Sequence, residues 1–346
     1  MYRDIATTLY KRGAASMDGY EMPRWAWGVF FVNFLIFFPL FLIVSYTFQH
    51  VYPTLAIVED PSPPAYNPVS LNEDGQSIAE DGFATADTAA VSETPAVTSS
   101  LRSTHRAVYA IAGWRSLFRG YAAYLFTSVV VSIIATIFVG FGVPSFIGVP
   151  LVCVAVAQPY AAWTHIVIST PSPKYFWQRF PPFSRTFRAT AAPIVIYAFA
   201  TELATYLPLF IASVLNMTTW NPKEPNSLPQ YNKDDAWKGI VVLLASLTLN
   251  VVLTRVQASF LPEDDDTIVP FDRSFGGKVE PAIVGGKGYV NMIDAWKSFS
   301  RASWIRLVKL YVKIFLIVVA LAFAWVAILI PEYILIANNS RKTGEL

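Results

Sequence analysis

Charged residues are scarce in this sequence. Asp, Glu, Lys and Arg make up 14% of its 346 residues, against about 25% in ordinary soluble domains. Together with a mean hydropathy of +0.43, this indicates that much of the surface faces something other than water. The net charge of +2 is too small to indicate a nucleic-acid partner, and no basic patch is interleaved with aromatic residues.

Cysteine and histidine are also scarce. The single cysteine, Cys153, lies within an apolar run, which excludes a disulfide framework and a cysteine metal site. The three histidines are scattered and do not form the His-Glu-x-x-His spacing of zinc enzymes. There is no Gly-x-Ser-x-Gly nucleophile elbow, and the Gly-Gly-Lys-Gly run at 285–288 lacks the other residues of a phosphate loop. We therefore expect no enzyme activity, no metal and no cofactor.

Long apolar stretches, by contrast, are abundant. A membrane-spanning helix needs about 20 mostly apolar residues. Six stretches meet or nearly meet this length: 25–48, 121–143, 146–169, 191–215, 237–260 and 307–336. The sequence therefore predicts an all-α membrane protein with six transmembrane helices and the lipid bilayer as its main partner.

A short motif recurs before the even-numbered spans. In each copy an aromatic residue is followed within two positions by a cation, and a long apolar segment begins soon after. The first copy contains Gly113, Trp114, Leu117, Arg119 and Gly120, the last contains Trp304, Leu307 and Lys309, and a fainter copy occupies 181–189. Apolar residues at helical spacing in 108–117 and 293–304 predict amphipathic helices at the membrane interface. Three copies predict three two-helix repeats, each with an interfacial helix.

The repeats and loops divide the chain as follows. We expect an N-terminal tail (1–24) without a cleavable signal, repeat 1 (25–143), repeat 2 (144–216), a loop (217–236), repeat 3 (237–337) and a C-terminal tail (338–346). Residues 50–104 have few bulky apolar side chains, which predicts a disordered loop that could recruit protein partners. Residues 261–289 have a similar composition and predict a flexible loop.

This pattern resembles the mitochondrial carrier family, in which each of three repeats holds two spanning helices and a surface helix. The segment Gly113–Gly120 is similar to that family's motif after the surface helix, and Arg255 and Gln257 match part of the motif at the end of its odd-numbered helices. Pro39 and Pro159 match the kink positions. The resemblance implies a basket of helices around a central cavity that takes a small solute.

The sequence departs from that family at the charges of its gate. Where the resemblance implies an acidic residue, the chain has Phe41, Ala161 and Asn250. The cation expected three residues later is replaced by Val44, Thr164 and Leu253. Two hypotheses remain open: an atypical transporter that gates by other contacts, and a non-transporting membrane adaptor or scaffold.

Four polar residues within the predicted spans are candidates for substrate binding. Ionisable groups are costly in a bilayer and so indicate function by default. Glu202 lies near the middle of the fourth span, where it could pair with Arg255 or His165, and Gln158 is the fourth candidate. The alternatives are a structurally paired carboxyl for Glu202, snorkelling for Arg255 and an interfacial position for His165.

Other polar and proline residues in the spans have simpler interpretations. Asn33, Gln158 and Asn250 could form hydrogen bonds between helices. Pro39, Pro159 and Pro208 are predicted to kink their helices.

Charge in the loops bears on topology and location. Lys174, Arg179, Arg185 and Arg188 lie between the third and fourth spans without an acid, which predicts a cytosolic or matrix-facing loop. The carrier resemblance favours a mitochondrial membrane. The tripeptides beginning at Asn216 and Asn338 match glycosylation acceptors and favour the secretory pathway instead.

Overall fold

The computed structural model describes residues 20–60, 96–214, 247–280, 285–339 and 341–342. Over this part the chain is helical, apart from one antiparallel pair of two-residue strands, β1 (Tyr20–Glu21) and β2 (Arg341–Lys342). It forms two compact units. We call Met1–Gln49 with Tyr311–Leu346 the terminal unit, and His50–Leu310 the core unit.

The helices differ widely in length. In chain order they are α1 (Trp25–Leu42), α2 (Tyr52–Val58), α3 (Leu101–Ala112), α4 (Tyr121–Gly140), α5 (Ser145–Ala155), α6 (Ala157–Ile168), α7 (Phe183–Val214), α8 (247–259), α9 (Met292–Lys297) and α10 (Arg301–Asn339). A π-helical segment, Ile43–Val51, joins α1 to α2. Short 3₁₀ turns occupy Val97–Ser99, Gly113–Phe118 and Phe176–Arg179.

Three helices in the described part of the chain are long and apolar enough to cross a membrane. They are Trp25–Val58, Gly113–Gly140 and Arg301–Asn339. A fourth span exists if α5 and α6, which meet at a bend of 57°, are taken together. The structure thus confirms an all-α fold consistent with a multi-pass membrane protein, and it agrees with the first, second and sixth expected spans.

The expected count of six spans is not confirmed. The fourth expected span, 191–215, falls in the helix α7, which is not among the candidate spans. The side chains of residues 203–214 in this helix are not described. Of the fifth, 237–260, only the residues from 247 onward are described. The third, 146–169, is divided at Val156 into the bent pair α5 and α6.

The expected disordered loop of 50–104 is helical at both ends, which corrects the sequence interpretation. Residues 52–58 form α2, and all of them are buried. At the other end, Ser100 and Ser103 form a capping box that starts α3. The apolar run Val51–Val58 continues the first candidate span, and its residues are buried against other parts of the protein. The average composition of residues 50–104 did not reveal this short apolar run, because most of that segment is polar. The expectation of disorder and of protein partners for 61–95 lies outside the described residues.

The expected flexible loop of 261–289 contains buried apolar residues in its described part, among them Leu261, Val269 and Phe275. Phe275 is 4% exposed and belongs to an apolar cluster with Val256, Phe260 and Val290. Asp272 accepts hydrogen bonds from the backbone amides of Ser274 and Gly276, which hold the tight turn around Phe275. Sequence composition showed the polar residues of this loop but not the core position of its aromatic ring.

The copies of the repeated motif adopt different local structures. In the first copy Gly113 and Gly120 have positive φ angles of 61° and 73°, so the chain forms a 3₁₀ turn between two helices. In the last copy Trp304, Leu307 and Lys309 lie inside the uninterrupted helix α10. The difference follows from glycine, which accepts positive φ without steric cost and is absent from the last copy.

The predicted helix kinks have mixed outcomes. Pro39 lies inside α1, and the helix loosens to the π-helical segment four residues later. Pro159 lies just after the bend between α5 and α6. Pro208 is in α7 among residues whose side chains are not described.

Candidate functional site: a cluster of three helix ends

Three helices of the core unit end in segments that match one another. These are Thr54–Glu59 at the end of α2, Thr164–Ser169 at the end of α6 and Thr254–Ser259 at the end of α8. Each begins with a buried threonine and ends five residues later with a buried hydrogen-bonding side chain, Glu59, Ser169 or Ser259. We call these three segments together the helix-end cluster. In chain order, Thr54–Glu59 is the first end, Thr164–Ser169 is the second end and Thr254–Ser259 is the third end.

The second residue of two ends binds a backbone carbonyl of a neighbouring end. Arg255 Nη1 donates to the Ile57 carbonyl oxygen at 3.0 Å, and His165 Nε2 donates to the Gln257 carbonyl oxygen at 2.9 Å. Ile57 and Gln257 both occupy the fourth position of their segments. The last carbonyls of a helix lack intrahelical donors, so these side chains satisfy groups that would otherwise be buried without partners.

The seam between the first and second ends is built differently. Leu55 stands where the other two ends have Arg255 and His165, and it has no donor to offer. Here Arg119, from the 3₁₀ region before α4, donates its Nε to the Ile166 carbonyl oxygen at 2.5 Å. The repeated motif therefore supplies the contact that the helix end itself lacks.

The side chain of the sixth residue of each end accepts hydrogen bonds from the part of the chain that follows that end. The carboxylate of Glu59 and the hydroxyls of Ser169 and Ser259 all act as acceptors. Their donors are the Val97 and Thr98 amides for Glu59, the Arg179 guanidinium for Ser169 and the Val290 amide for Ser259. One polar position thus has the same structural role in all three segments.

Two buried ion pairs brace the cluster. Arg306 lies 3.3 Å from the Glu59 carboxylate, with side-chain exposures of 10% and 1%. Arg179 lies 2.7 Å from the Asp265 carboxylate, with exposures of 6% and 15%. Breaking such a pair leaves an uncompensated buried charge, so the first pair holds the first end against α10 and the second holds the turn after the second end against the 261–280 loop.

Arg255 is buried, and Asp60 and Asp272 act on its guanidinium electrostatically, although no carboxylate in the described part of the chain forms a close ion pair with it. It is 5% exposed, and its guanidinium carbon lies 5.0 Å from the Phe275 ring centroid and 5.4 Å from that of Phe299. A further hydrogen bond goes to Ser298 Oγ at 3.1 Å. The electron-rich ring faces and neutral acceptors therefore stabilise this cation inside the protein. The snorkelling interpretation of Arg255 was wrong.

Backbone hydrogen bonds from the 261–280 loop cross the cluster. The Thr170 amide donates to the Asp266 carbonyl at 2.7 Å, and the Ile268 amide donates to the Ile168 carbonyl at 2.9 Å. The Asp60 amide donates to the Pro270 carbonyl at 2.8 Å. One loop thus joins the first and second ends to the third.

A cavity of about 350 Å³ lies among α4, α5, α6, α7 and α8. Its lining is apolar with several hydroxyl groups and carries no charged side chain. The polar lining residues are Tyr124, Thr127, Ser128, Ser132, Cys153, Tyr160 and Tyr197. Tyr124 also forms a hydrogen bond of 3.1 Å with His50. Such a cavity suits a small uncharged molecule with hydrogen-bonding groups.

The four predicted site residues do not meet in one place. His165, at 1% exposure, and Arg255 belong to the helix-end cluster, so His165 is buried in protein instead of facing outward. Gln158 donates to the Pro181 carbonyl at 2.7 Å, a helix-to-loop contact. Glu202 forms no pair with Arg255 or His165; its Oε2 is buried without a hydrogen-bond partner. Glu202 interacts electrostatically with Cys153 in the cavity lining.

Sequence reasoning missed the residues that brace the cluster, above all Glu59, Arg306 and Asp265. A signal for the first end was present. Thr54 precedes Pro61-Ser62-Pro63 by the same number of residues as Thr164 precedes Pro171-Ser172-Pro173. This internal match would have placed the first helix end at Thr54–Glu59 instead of near Phe41 and Val44.

A polar contact of a different kind occurs in the terminal unit. Asn33, at 9% exposure in α1, donates its amide to the Glu332 carboxylate of α10 at 2.5 Å. The Trp325 ring packs on Phe37 and Phe41 in the same unit. The expected hydrogen bond between helices at Asn33 is confirmed, whereas Glu332 was not among the predicted residues.

We compared the chain with family models, curated proteins and solved structures. None of them matches. The described residues also contain no group of three or more His, Cys, Asp or Glu side chains that could hold a metal ion. A function for the helix-end cluster and the cavity must therefore be argued from their own geometry.

Proposed function

We propose that the chain is a multi-pass membrane scaffold whose helix-end cluster stays closed. The observation that carries this proposal is a set of buried contacts that hold the three ends: Arg255 to Ile57 and His165 to Gln257 between ends, and Arg306 of α10 to Glu59 of the first end. A transporter that alternates between two sides must separate such ends in every cycle. A scaffold needs them to hold.

The energy of opening supports this proposal. Separating the first end from the third would leave the Ile57 carbonyl and the Arg255 guanidinium without each other, and moving the first end away from α10 would separate Glu59 from Arg306. Each buried polar group left unsatisfied costs about 1–3 kcal/mol, and charged groups cost more. The total exceeds the few kcal/mol that usually separate two populated conformations of a protein.

The same contacts support a carrier-like arrangement of three repeats, which we also propose. Equivalent positions of the second and third segments make equivalent bonds, and the donors run from the third end to the first and from the second to the third. A fold with internal three-fold repetition produces such a pattern naturally. The gate charges expected from the carrier resemblance are replaced here by bonds from side chains to backbone carbonyls.

Cysteine labelling tests whether the cluster stays closed. In a Cys153→Ser background, Ala258→Cys places a thiol inside the cluster, where the native residue is 0% exposed. The matched control is Asp264→Cys on the exposed part of the 261–280 loop. We expect a membrane-impermeant maleimide to label Cys at 264 within minutes and to leave 258 unlabelled over hours. Because transporter transitions take microseconds to seconds, labelling of both positions at comparable rates would contradict the scaffold proposal.

The cavity favours a second candidate function, an atypical transporter of a small uncharged solute. Its hydroxyl-bearing lining offers hydrogen bonds to such a solute, and the unpartnered Oε2 of Glu202 marks a polar group beside it. Proteoliposome swelling in glycerol or erythritol gradients separates the two functions. Swelling faster than in empty liposomes, and slowed by Glu202→Gln, would support transport. Swelling equal to that of empty liposomes supports the scaffold.

We propose a mitochondrial membrane as the location, on the basis of the carrier-like pattern alone. The secretory pathway is the alternative, and of its two candidate acceptors Asn338 lies in the last turn of α10, whereas Asn216 is outside the described residues. Fractionation of cells expressing a tagged full-length chain distinguishes the two. Enrichment with mitochondria and no glycosidase-induced mobility shift supports our proposal. A shifted band in the endoplasmic reticulum would overturn it.

A further inference from the structure

Three tryptophans in the described part of the core unit are strongly exposed, and one belongs to each expected repeat. Trp114 is 65% exposed, Trp177 is 55% exposed and Trp296 is 42% exposed. Each has an exposed cation within three residues along the chain: Arg115, Lys174 and Lys297, respectively. Tryptophan is enriched at membrane–water interfaces, and here its pairing with a cation recurs three times.

The tryptophan of the second repeat has an additional exposed neighbour. Tyr175 is 62% exposed and stacks on Trp177 with ring centroids 4.7 Å apart and an interplanar angle of 4°. The two rings pack face to face and present apolar edges outward from a 3₁₀ turn. Only the polar tips of these side chains require water, so the pair suits an environment that is apolar on one side and wet on the other.

Short stretches of chain tie all three tryptophans to the helix-end cluster. Trp114 precedes Arg119, which binds the Ile166 carbonyl. Trp177 precedes Arg179, which binds Ser169. Trp296 precedes Ser298, which accepts a hydrogen bond from Arg255. Because these anchor points all belong to the cluster, the three tryptophans are held at the level of that cluster.

The exposed rings continue into the apolar surface of the candidate spans. The span Gly113–Gly140 begins beside Trp114 and presents Phe126, Val129 and Ile133 to the outside. Arg301–Asn339 begins a few residues after Trp296. An exposed apolar surface of this length faces lipid tails, and tryptophan beside a cation is typical of the headgroup level at the end of such a surface.

We infer that Trp114, Trp177 and Trp296 form one interfacial belt that lies in the headgroup layer of a single leaflet, so that the partner of this surface is the lipid bilayer. A protein partner would need one contiguous face, whereas these rings belong to three separate repeats. The cations beside them match the negative charge of lipid phosphates. The belt goes beyond the proposed function, since it holds whether or not the helix-end cluster opens.

The belt also assigns sides to neighbouring features. The helix-end cluster lies at the membrane surface, and the pocket of about 730 Å³ between the 174–185 segment and the 259–288 segment lies toward the water. That pocket is lined by Lys174, Arg185, Glu263 and Asp264, all of which suit an aqueous position. The 261–280 loop is therefore a solvent-facing cover of the cluster.

Spin-label depth measurements on the full chain in liposomes test this inference. In a Cys153→Ser background, one cysteine at a time replaces Trp114, Trp177 or Trp296, and each is labelled with a nitroxide. The depth controls are Asp264→Cys for water and Ile133→Cys for hydrocarbon, since Ile133 lies about 18 Å along α4 from Tyr121. Collision rates with oxygen and with a water-soluble nickel chelate give the depth of each label.

We expect all three belt positions to share one depth at the phosphate level, with nickel collisions well below those at 264 and oxygen collisions well below those at 133. Any belt position as accessible to nickel as 264, or as deep as 133, would overturn the inference. If a tryptophan variant fails to fold, the neighbouring exposed positions Arg115, Tyr175 and Lys297 carry the label instead, with the same expected depth and the same contradicting results.

Discussion

The helix-end cluster of the core unit and the helix pair of the terminal unit handle buried polar groups in opposite ways. In the cluster, Glu59 is 1% exposed and has backbone donors, a hydroxyl donor and an arginine around it. In the terminal unit, α1 and α10 share the Asn33–Glu332 hydrogen bond and stacked rings, while most of their apolar side chains are exposed.

The physical setting explains the contrast. Helices that face lipid gain little from hydrophobic burial, because lipid tails are as apolar as leucine, so a single polar contact or close ring packing is enough to pair them. Where helices end and loops meet, backbone groups lose their helical partners and must find others. Dense polar networks therefore mark the place where this protein fixes its shape.

Removing the Glu59 carboxylate should have the largest effect. We expect Glu59→Ala to lower the free energy of unfolding by about 3–5 kcal/mol, because it leaves Arg306 as an unpaired buried charge. Equilibrium unfolding in mixed detergent micelles measures this loss. The control is Glu263→Ala on the exposed loop, which should change stability by less than about 0.5 kcal/mol. Equal effects of the two substitutions would contradict the bracing role of Glu59.

Replacing Arg255 by leucine tests the contrast between the seams, because Leu55 is the natural residue at the equivalent position of the first end. We expect Arg255→Leu to cost about 1–3 kcal/mol, since the buried Ile57 carbonyl loses its donor but no close ion pair is broken. The matched control is Lys309→Leu on the exposed face of α10. A loss as large as that of Glu59→Ala would contradict this ranking of the two contacts.

The terminal unit should be less sensitive. We expect Asn33→Ala to cost about 0.6–2 kcal/mol, the range for hydrogen bonds between helices in a membrane. A double-mutant cycle with Glu332→Leu, which removes the acceptor, isolates the contact from other effects of each change. If the two single changes are additive, the contact contributes nothing and the ring packing alone pairs α1 with α10.

The smallest effect should be the pH dependence of the 261–280 loop. Partial burial opposes ionisation of Asp272, but hydrogen bonds from the Ser274 hydroxyl and from the Gly276 and Ser274 amides outweigh it and lower the pKa of this carboxyl. Its stabilising contribution is therefore complete above the unfolded-state pKa of about 3.9 and is lost as the pH falls through the lower folded value.

The variant Asp272→Asn checks this sign. Relative to the native protein, we expect it to be slightly destabilised at pH 7, and the difference should shrink as the pH falls below about 4. Asp264→Asn, on the exposed part of the same loop, should show no such trend. A difference that grows on acidification would contradict the assignment.

Several features could be predicted because they depend on local composition. Length and hydropathy alone identify the spans beginning near Trp25 and Tyr121 and the one ending near Ile336. The amphipathic pattern at 108–117 places a helix before α4, and Ser100 provides the cap that starts it. The polar Asn33 within an apolar helix indicated a partner on another helix, although the sequence did not say which one.

Other features depended on contacts between distant residues. Hydropathy could not show whether Arg255 reaches the headgroups or lies between Phe275 and Phe299, because both outcomes need the same side chain at a helix end. The pairing of Glu59 with Arg306 links residues that are 247 positions apart in the sequence. Nor could composition distinguish the helical ends of the 50–104 segment from its middle.

The sequence by itself determined a helical chain with stretches long and apolar enough to span a membrane, because the free energy of placing apolar or charged side chains in lipid is a property of each stretch alone. Only the tertiary structure decided which buried hydrogen bonds hold the helix ends together. The acceptors of Arg255 and His165 are backbone carbonyls, which every residue carries, so no pattern of side chains could reveal which carbonyls the fold would bring to them.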